Sequence, residues 1–583
     1  MKSHHEDPPS TTPSATPSAS AVSRRSFLGA GAAAVGTLAA APASHASAPQ
    51  PSSFLALDRL PDSVAAFTHF DHSIPAGYVS LARNGQQWSA SQIEVETTPQ
   101  PGGVALALSA STPVVLIHVR WNAPVLPGLQ ILGDAWERSY GDLAWRTLVP
   151  ERVLPWYFAT WDRNACHAYG VRTDARALCF WQLDPDGVSL WLNVANGGSG
   201  VELGSRRLVM ATLFARCGHP GQPAIDALSA FCHALCARPS RPIVPIYGAN
   251  DWCYSYGSST AETIVRDSEF IASISPSAGA RPFSVVDGGW ENGTAAWPEM
   301  DKLAADIARL NVRPGIWIRP LEAPKDTPAA MLLPSGRFGS HRERTRELAY
   351  DPTIPEAREK IRAKMHQAVG WGYQMVKHDF STYDLLGQWG FEMGPQPTLP
   401  GWSLADRTRT NAEVLADLYA FLRDQAGPGT LIDGCNTIGH LGQGVFDLQR
   451  TGDDTSGRHW ERTRRMGVNT AAFRLPQNGV FFVQDPDLIP ITEALPWELS
   501  RQWLDLVACS GQATLISAAP SVRQGAAQLA ALRQAFQVAA SGGLGAQPLD
   551  WMETTAPSLW RARGADRRYD WTEPGGVSAF ISQ

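Results

Sequence analysis

Residues 373–384, which read YQMVKHDFSTYD, contain the pattern around which the rest of the chain is organised. A short apolar run ends abruptly there at Lys377, His378 and Asp379. Alternate side chains of a β-strand point to opposite faces, so Lys377 and Asp379 are expected on one face and His378 on the other. Burying a lysine and a carboxylate at a strand end is costly unless the charges are paired or used. The stretch therefore predicts either a structural ion pair or a catalytic carboxylate kept ionised by its neighbour.

Seven further short apolar runs flank this stretch, and each ends in polar or aromatic residues. They read IVPIYGAND, PFSVVDGGW, VRPGIWIRP, TLIDGCNT, GVFDLQRTGDD, GVFFVQDPD and ATLISAAPS, and helical patterns such as MDKLAADIARL separate several of them. Eight strands alternating with helices, with polar residues at their carboxyl ends, predict a central (β/α)8 TIM barrel at 241–542 with its site on that face. The link between the fifth and sixth strands is too short for a full helix, so one barrel helix should be degenerate.

The regions on either side of the barrel are predicted to be β-structure, which makes the chain multidomain. Residues 49–240 contain short alternating runs broken by turn residues, as expected for an antiparallel β-sandwich. Residues 543–583 are long enough only for a short C-terminal β segment, with a hairpin. Within the sandwich, residues 133–146 (GDAWERSYGDLAWR) are dense in acids and aromatics. They form either a loop pinned to the sandwich or a rim that reaches the active site, and Trp136 is the candidate sugar-binding residue there.

The N-terminal 48 residues are predicted to lie outside the fold. Residues 1–22 are rich in Pro, Ser and Thr, and adjacent Arg24 and Arg25 then precede a weakly apolar Gly/Ala stretch. A disordered leader followed by a twin-arginine export signal has this pattern. The expected location is periplasmic or extracellular, with no stable membrane span after signal removal. The slightly acidic net charge of −6 makes nucleic acid an unexpected partner.

The polar strand ends favour sugar chemistry over other reactions. No HExxH, regularly spaced Cys/His cluster, Gly-rich phosphate loop or GxSxG elbow is present, so no metal or other cofactor is expected. The remaining groups are carboxylates, one lysine, one arginine and some of the 21 tryptophans of the chain. Paired carboxylates with aromatic stacking surfaces suit glycoside cleavage, because one carboxylate acts as nucleophile and the other as general acid and then base.

Several motifs together resemble the melibiase-type α-galactosidases of glycoside hydrolase clan D, especially family 36. VKHDF resembles the Lys-x-Asp strand of that family, RTGDDTS its acid/base motif, and QDPDL the turn after its seventh strand. GANDWCYSYG and SVVDGGWENGTAAWPEMDKLAADIARLNVRPGIWIRP resemble its first three strand ends. The resemblance extends over residues 100–540. It implies a secreted retaining α-glycosidase, most similar to an α-galactosidase, that acts on an oligosaccharide or glycoside.

The resemblance also implies roles for individual residues. Asp379 would be the nucleophile, kept deprotonated by an ion pair with Lys377, which would also bind sugar hydroxyls. The acid/base would be Asp454, four residues after Arg450, or Asp453 under a different alignment. Net retention would place the two carboxyl groups roughly 5–5.5 Å apart, or slightly more. The remaining implied sugar-binding residues are Asp287, Trp317, Cys435, Arg450 and Trp252.

Two departures from the family pattern put galactose itself in doubt. The family has two consecutive acids after strand two, whereas this chain has Asp287 followed by Gly288. Losing a charged hydrogen bond to a sugar hydroxyl costs about 1.5–3 kcal/mol. The loop after Cys435 is also rewritten, and His440 there is either a new sugar contact or an exposed loop residue. The alternatives are a transglycosylase resembling raffinose synthases and a sugar-binding relative without catalysis.

Overall fold

An N-terminal antiparallel sheet, a central parallel barrel and a small C-terminal sheet follow one another along the chain, which confirms the predicted fold class. The computed structural model describes residues 55–57, 59–293, 296–297, 299–339 and 347–580. The predicted leader and export signal at 1–48 lie outside the described residues. Within the described ranges, no helix has the length and apolar character needed to cross a bilayer.

The N-terminal domain is a 13-stranded antiparallel sheet that curls into a sandwich. Its order is β7-β9-β10-β13-β5-β4-β3-β2-β1-β6-β12-β11-β8, and Phe158 near one end lies edge-on to Trp181 near the other, 5.4 Å between ring centroids. Strand β4 shows the alternation that drives this packing, because Ile93, Val95 and Thr97 are buried and the residues between them are partly exposed. The strands are β1 (Ser63–Asp71), β2 (Ile74–Asn84), β3 (Gln87–Ala90), β4 (Ile93–Gln100), β5 (Gly103–Ala110), β6 (Leu116–Trp121), β7 (Gln130–Gly133), β8 (Leu154–Pro155), β9 (Tyr157–Trp161), β10 (Cys166–Val171), β11 (Leu178–Asp184), β12 (Gly187–Asn193) and β13 (Leu208–Cys217).

The barrel consists of parallel strands in the order β20-β19-β18-β17-β16-β15-β14-β22-β21. All eight predicted strands are present, and the seventh is split by a turn at 486–488, so that its first half pairs with β19 and its second half with β22. In addition, the N–H of Ala513, the residue before β22, donates to the carbonyl of Gln484 in β20 (2.9 Å). The strands are β14 (Tyr247–Asn250), β15 (Phe283–Val286), β16 (Arg313–Ile318), β17 (Met375–His378), β18 (Leu431–Gly434), β19 (Leu448–Arg450), β20 (Val483–Asp485), β21 (Ile489–Ile491) and β22 (Thr514–Ala518).

Helices surround the barrel and link it to the sandwich. The helix after the fifth strand is a single turn, α9, as the short connection predicts. A π-helical turn, Arg464–Val468, joins α10 to α11. The helices are α1 (Ala224–Leu235), α2 (Trp252–Ser255), α3 (Ala261–Ile274), α4 (Met300–Arg309), α5 (Pro355–Gly370), α6 (Ser381–Leu386), α7 (Gly390–Met393), α8 (Asn411–Ala426), α9 (Gly439–Gly442), α10 (Trp460–Thr463), α11 (Asn469–Phe473), α12 (Trp497–Ser510) and α13 (Ala526–Ala540).

The C-terminal segment is a three-stranded sheet that packs on helix α12. Its strands are β23 (Gln547–Pro548), β24 (Leu559–Ala562) and β25 (Ala565–Arg568), and the last two form the predicted hairpin. Arg567 and the Tyr569 hydroxyl both donate to Asp505 of α12, at 2.7 and 2.8 Å. All eight cysteines are free thiols.

The segment after strand β7 extends from the sandwich to the carboxyl-terminal face of the barrel. Ser139 pairs with Gly452 in a parallel bridge, in which the Ser139 N–H donates to the Thr451 carbonyl and the Asp453 N–H to the Ser139 carbonyl. Asp134, at the start of the same segment, forms an ion pair with the buried Arg474 of the barrel, with 2.7 Å between Oδ1 and Nε. The sandwich therefore fixes the loop that follows the sixth barrel strand.

Candidate active site

A cavity of about 760 Å³ opens at the carboxyl ends of the barrel strands. This size is typical of sites for small ligands. It brings together every predicted site residue except Cys435 and Trp136. The predicted residues that line it are Trp252, Asp287, Trp317, Lys377, Asp379, Arg450, Asp453 and Asp454.

Asp379 follows the fourth strand directly and is held by two neutral donors. The Trp317 indole N–H donates to Oδ2 (2.9 Å) and the Phe380 backbone N–H donates to Oδ1 (2.7 Å). Phe380 has a φ of 69°, in the left-handed region that a phenylalanine seldom adopts. Such backbone strain costs about 1–3 kcal/mol and clusters at functional sites. The sharp turn at Phe380 thus aims its own N–H at the carboxylate.

Lys377 does not form the predicted ion pair with Asp379. Its ammonium reaches across to the second strand and binds Asp287 at 2.6 Å, and the Asn250 amide donates to the same oxygen at 2.5 Å. Burial lowers the pKa of Lys377, but Asp287 and more distant charges such as Asp379 raise it by more, so it lies well above its usual range. The prediction of a Lys377–Asp379 pair was wrong because Asp379 lies one residue beyond the strand, where it meets Trp317 and a backbone N–H. The predicted faces are correct, since His378 packs outward against Tyr419 and Phe446.

Asp251, which follows the first barrel strand, is a second carboxylate next to Asp287. The Asp287 backbone N–H donates to Asp251 at 2.9 Å. Burial, and then the charge of Asp287, raise the pKa of Asp251 to about 6. At Gly288, where the family has its second acid, an added Cβ would lie 3.6 Å from the Trp317 ring, which is ordinary contact. A side chain could therefore start at this position without a clash, in contact with Trp317 and in a cavity that Glu291 and Glu322 also line.

Asp453 and Asp454 follow the sixth strand and are held by arginines. Asp454 accepts from Arg450 (2.9 Å) and Arg138 (3.2 Å), and its side chain is 43% exposed. Asp453 pairs with Arg462 (2.5 Å) and Arg138 (3.3 Å), and its side chain is only 12% exposed. Burial raises the pKa of Asp454, but Arg450, Arg138 and Lys377 lower it by more, so it lies below the usual range. Asp454 is thus the more accessible of the two carboxylates.

Three other residues singled out from the sequence lie outside the cavity. Trp136 packs against Trp156 and Phe180, and its indole N–H donates to the Gly394 carbonyl, because the segment turns its Arg138 side to the site. Cys435 is buried beneath the Arg450 guanidinium, 3.7 Å from Nη1. His440 is buried and stacks on Trp156, so it is neither a sugar contact nor an exposed loop residue.

The cavity also contains residues that the sequence analysis missed. Arg138 and Tyr140 come from the sandwich segment whose Trp136 was singled out, and Phe380, Trp389 and Phe391 come from the loop after the fourth strand. The remaining lining residues are Tyr256, Gly257, Gly288, Gly289, Glu291, Arg319 and Glu322. The density of aromatic residues in 133–146 was the available signal for Tyr140. No group of three His, Cys, Asp or Glu side chains in the described part of the chain is arranged to hold a metal ion.

The fold matches solved α-galactosidases over most of the chain. The α-galactosidase TtGalA from Thermus thermophilus, in complex with p-nitrophenyl α-D-galactopyranoside, is 18% identical with a TM-score of 0.57, over 82% of this chain and 97% of that one. A variant of the family 36 α-galactosidase AgaA from Geobacillus stearothermophilus, in complex with raffinose, is 12% identical with a TM-score of 0.55, over 86% and 76%. The galactosidase domain of the α-galactosidase–sucrose kinase AgaSK is 13% identical with a TM-score of 0.51, over 85% and 74%.

Comparison with models of known protein families gives no match, and neither does comparison with curated proteins. The similarity is therefore one of architecture, in line with the motifs quoted from the sequence. This chain has the fold of the glycoside hydrolase family 36 α-galactosidases.

Proposed function

We propose that this protein is an exported retaining α-glycosidase that removes terminal α-linked galactose or a closely related sugar. The observation that carries the proposal is the pair of carboxylates in one cavity: Asp379 on neutral donors and Asp454 between two arginines. Retaining glycosidases need two such groups in different environments. The fold and the motifs of family 36 agree with this pairing, and residues 1–48 have the twin-arginine export pattern.

The reaction starts when Asp379 attacks the anomeric carbon and the glycosidic bond breaks. Hydrogen bonds from Trp317 and the Phe380 N–H fix the orientation of the carboxylate, so little reorganisation is needed. Asp454 gives its proton to the departing oxygen, and a β-linked glycosyl-enzyme remains. Asp454 then takes a proton from water, which attacks the same carbon and releases the sugar with its α-configuration.

The Asp287–Lys377 pair supplies the polar contacts for the transferred sugar. Its carboxylate and ammonium both line the cavity, so hydroxyl groups meet an acceptor and a donor side by side. Trp252 and Trp317 provide apolar walls, as pyranose rings require. Gly288 lines the cavity beside Trp317 without a side chain, so we expect sugars modified near that wall to fit as well as galactose.

The environment of Asp454 predicts an acidic optimum. Its lowered pKa leaves it ionised in the free enzyme at neutral pH, whereas a general acid works in its protonated form. Activity therefore falls as the pH rises through the pKa of Asp454. Substrate binding removes water from the carboxylate and raises that pKa, which extends the active range upward.

The direct test uses Asp379→Gly and p-nitrophenyl α-D-galactopyranoside. Wild-type enzyme should release α-galactose first, as followed by proton NMR, and Asp379→Gly should be about a thousandfold or more slower. Azide fits the space left by the carboxylate and should restore turnover with β-galactosyl azide as product. Asp186→Gly, in an exposed turn of the sandwich, is the matched control and should keep wild-type activity. Near-normal turnover by Asp379→Gly, or first release of β-galactose by the wild type, would contradict the proposal.

A further inference from the structure

Glu137 is a buried carboxylate that the proposed mechanism does not use. It belongs to the segment after strand β7, next to Arg138, and none of its surface is exposed. Its side chain is not part of the cavity lining, so it does not touch the sugar. Burial raises the pKa of its carboxyl above the ordinary value, and the charge of Arg138 lowers it in part. Burying such a group is costly, so its contacts need an explanation.

Three donors from three parts of the chain bind the Glu137 carboxylate. Oε1 accepts from the Tyr140 hydroxyl (2.5 Å) and from the Gly390 N–H (2.9 Å), and Oε2 accepts from the Asn436 amide. Gly390 begins helix α7 in the loop after the fourth barrel strand, and Asn436 lies in the loop after the fifth. A carboxylate only accepts, so a set of donors suits it. Glu137 therefore joins the sandwich segment to two loops of the barrel.

Asn436 connects this carboxylate to helix α6, which begins directly after Phe380. Its Oδ1 accepts from the Tyr383 N–H (3.1 Å), and its carbonyl accepts from the Thr382 N–H (3.0 Å). Phe380 occupies the N-cap position of α6 and offers no side-chain acceptor. The first turn of a helix leaves N–H groups without partners within the helix, and Asn436 supplies the acceptors here.

Gly390 connects Glu137 to the same turn by a second route. A Cβ at this glycine would lie 2.4 Å from the Glu137 side chain, so the two groups are in close contact. The preceding residue, Trp389, stacks on Tyr383 with 4.3 Å between centroids and meets the Phe380 ring edge-on at 5.3 Å. Both routes therefore end at the turn that follows the proposed nucleophile.

We propose that Glu137 is a positioning residue for Asp379. It acts through the two loops that it joins, and these hold the turn whose N–H orients the nucleophile. This inference rests on the proposed function. Asn436 stands in the loop that departs from the family pattern, so the contact involves a feature of the present chain. The sandwich segment then serves both carboxylates of the site, since the neighbouring Arg138 binds Asp454.

The first test asks whether the effect of Glu137 depends on Asp379. Glu137→Gln keeps an oxygen for Tyr140 and Gly390 but turns an NH2 group toward the NH2 group of Asn436. With p-nitrophenyl α-D-galactopyranoside it should lower kcat about tenfold or more, with little change in KM. In the Asp379→Gly background azide is the attacking group, so the same substitution should change the azide-dependent rate by less than about twofold.

Asn436→Asp tests the same contact from its other side. Alone it places two carboxylates against each other and should lower kcat in the same way. In the double variant with Glu137→Gln, the new amide donates to the new carboxylate, whose other oxygen still accepts from the Tyr383 N–H. Most of kcat should then return. If Glu137→Gln does not fold, Asn436→Asp with and without Asp379→Gly decides by the same comparison of rates.

Glu413→Gln is the matched control. Glu413 also joins the barrel to the sandwich, through an ion pair with Arg206 at 2.7 Å, but it lies outside the cavity lining. Its kcat should equal that of the wild type. An equal loss with Glu137→Gln in both backgrounds, or a lower melting temperature with an unchanged kcat, would overturn the positioning role and leave the glycosidase intact. Failure of the wild type to hydrolyse any α-glycoside would remove both proposals.

Discussion

The two carboxylates of the site are held in opposite ways. Asp379 accepts hydrogen bonds from an indole and a backbone N–H, both neutral, and both supplied by the barrel. Asp454 lies between two guanidinium groups, one from the barrel and one, Arg138, from the sandwich. Under the proposed function, the first arrangement would fix the direction of the nucleophile, whereas the second would set the proton affinity of the acid/base.

The contrast matches the proposed role of Asp379, whereas the arginines around Asp454 favour its ionised, base form over the protonated form of an acid. A nucleophile needs an orientation, because attack on the anomeric carbon requires a near-attack geometry. A general acid needs a suitable pKa, because it gives and takes a proton in each cycle. Fixed charges adjust a pKa strongly, and neutral hydrogen bonds fix a direction at smaller electrostatic cost. Three predictions separate these roles.

The largest effect is expected for Asp454→Ala. It should lower kcat/KM for melibiose by about 10²–10⁴-fold, because the glucose oxygen departs without a proton. The loss with α-galactosyl fluoride should be far smaller, since fluoride needs less help. Azide should then react with the glycosyl-enzyme and give α-galactosyl azide, the anomer opposite to the one expected from Asp379→Gly. If Asp453→Ala shows this behaviour and Asp454→Ala does not, Asp453 is the general acid/base and Asp454 is its supporting neighbour.

A smaller effect is expected for Trp317→Phe, which removes the indole donor and keeps an aromatic wall. A hydrogen bond to a charged group is worth about 1.5–3 kcal/mol, so kcat/KM should fall by about 10–150-fold. The loss should appear in kcat, because Asp379 is misaligned in the step that it performs. Trp252→Phe is the control: Trp252 lines the same cavity, and its indole donates no hydrogen bond to Asp379. Equal losses of kcat/KM in the two variants would show that the indole hydrogen bond to Asp379 makes no contribution of its own.

The smallest effect is a displacement of the pH profile by Arg138→Gln. The positive charge of Arg138 lowers the pKa of Asp454, so its removal raises that pKa. A general acid acts in its protonated form, and the alkaline limb of kcat/KM should therefore move to higher pH by about one unit. Arg462→Gln is the control, because Arg462 binds Asp453 and makes no ion pair with Asp454 in the described residues. A limb that moves with Arg462→Gln as well would identify Asp453 as the acid.

The sequence predicted the barrel and most of the cavity for one physical reason. The carboxyl ends of parallel strands lie on one face of the barrel. Polar residues at those ends therefore lie close together, regardless of the conformation of the loops. Asp287, Lys377, Asp379, Arg450 and the two acids after the sixth strand meet in this way. Strand alternation also placed His378 correctly on the outer face.

Pairing within the site could not be predicted from the same pattern. Alternation gives the face of Lys377 but not the neighbouring strand that its long side chain reaches, and that strand carries Asp287. Arg138 lies more than 300 residues before Asp454, so only the docking of two domains brings them together. Trp136 and Arg138 are two positions apart, and the local twist of an irregular segment decides which of them faces the cavity.

The parallel bridge between Ser139 and Gly452 has a consequence for how such chains recombine. It joins a sandwich residue to the loop that carries the acids, and Arg138 is its immediate neighbour. A crossover near residue 241 would pair a barrel with a foreign segment at the position of Arg138, and it would divide the continuous apolar core to which both sandwich and barrel residues belong. The two regions form separate sheets, yet the surroundings of Asp454 depend on both of them, so we expect an exchange of either region alone to disturb this site.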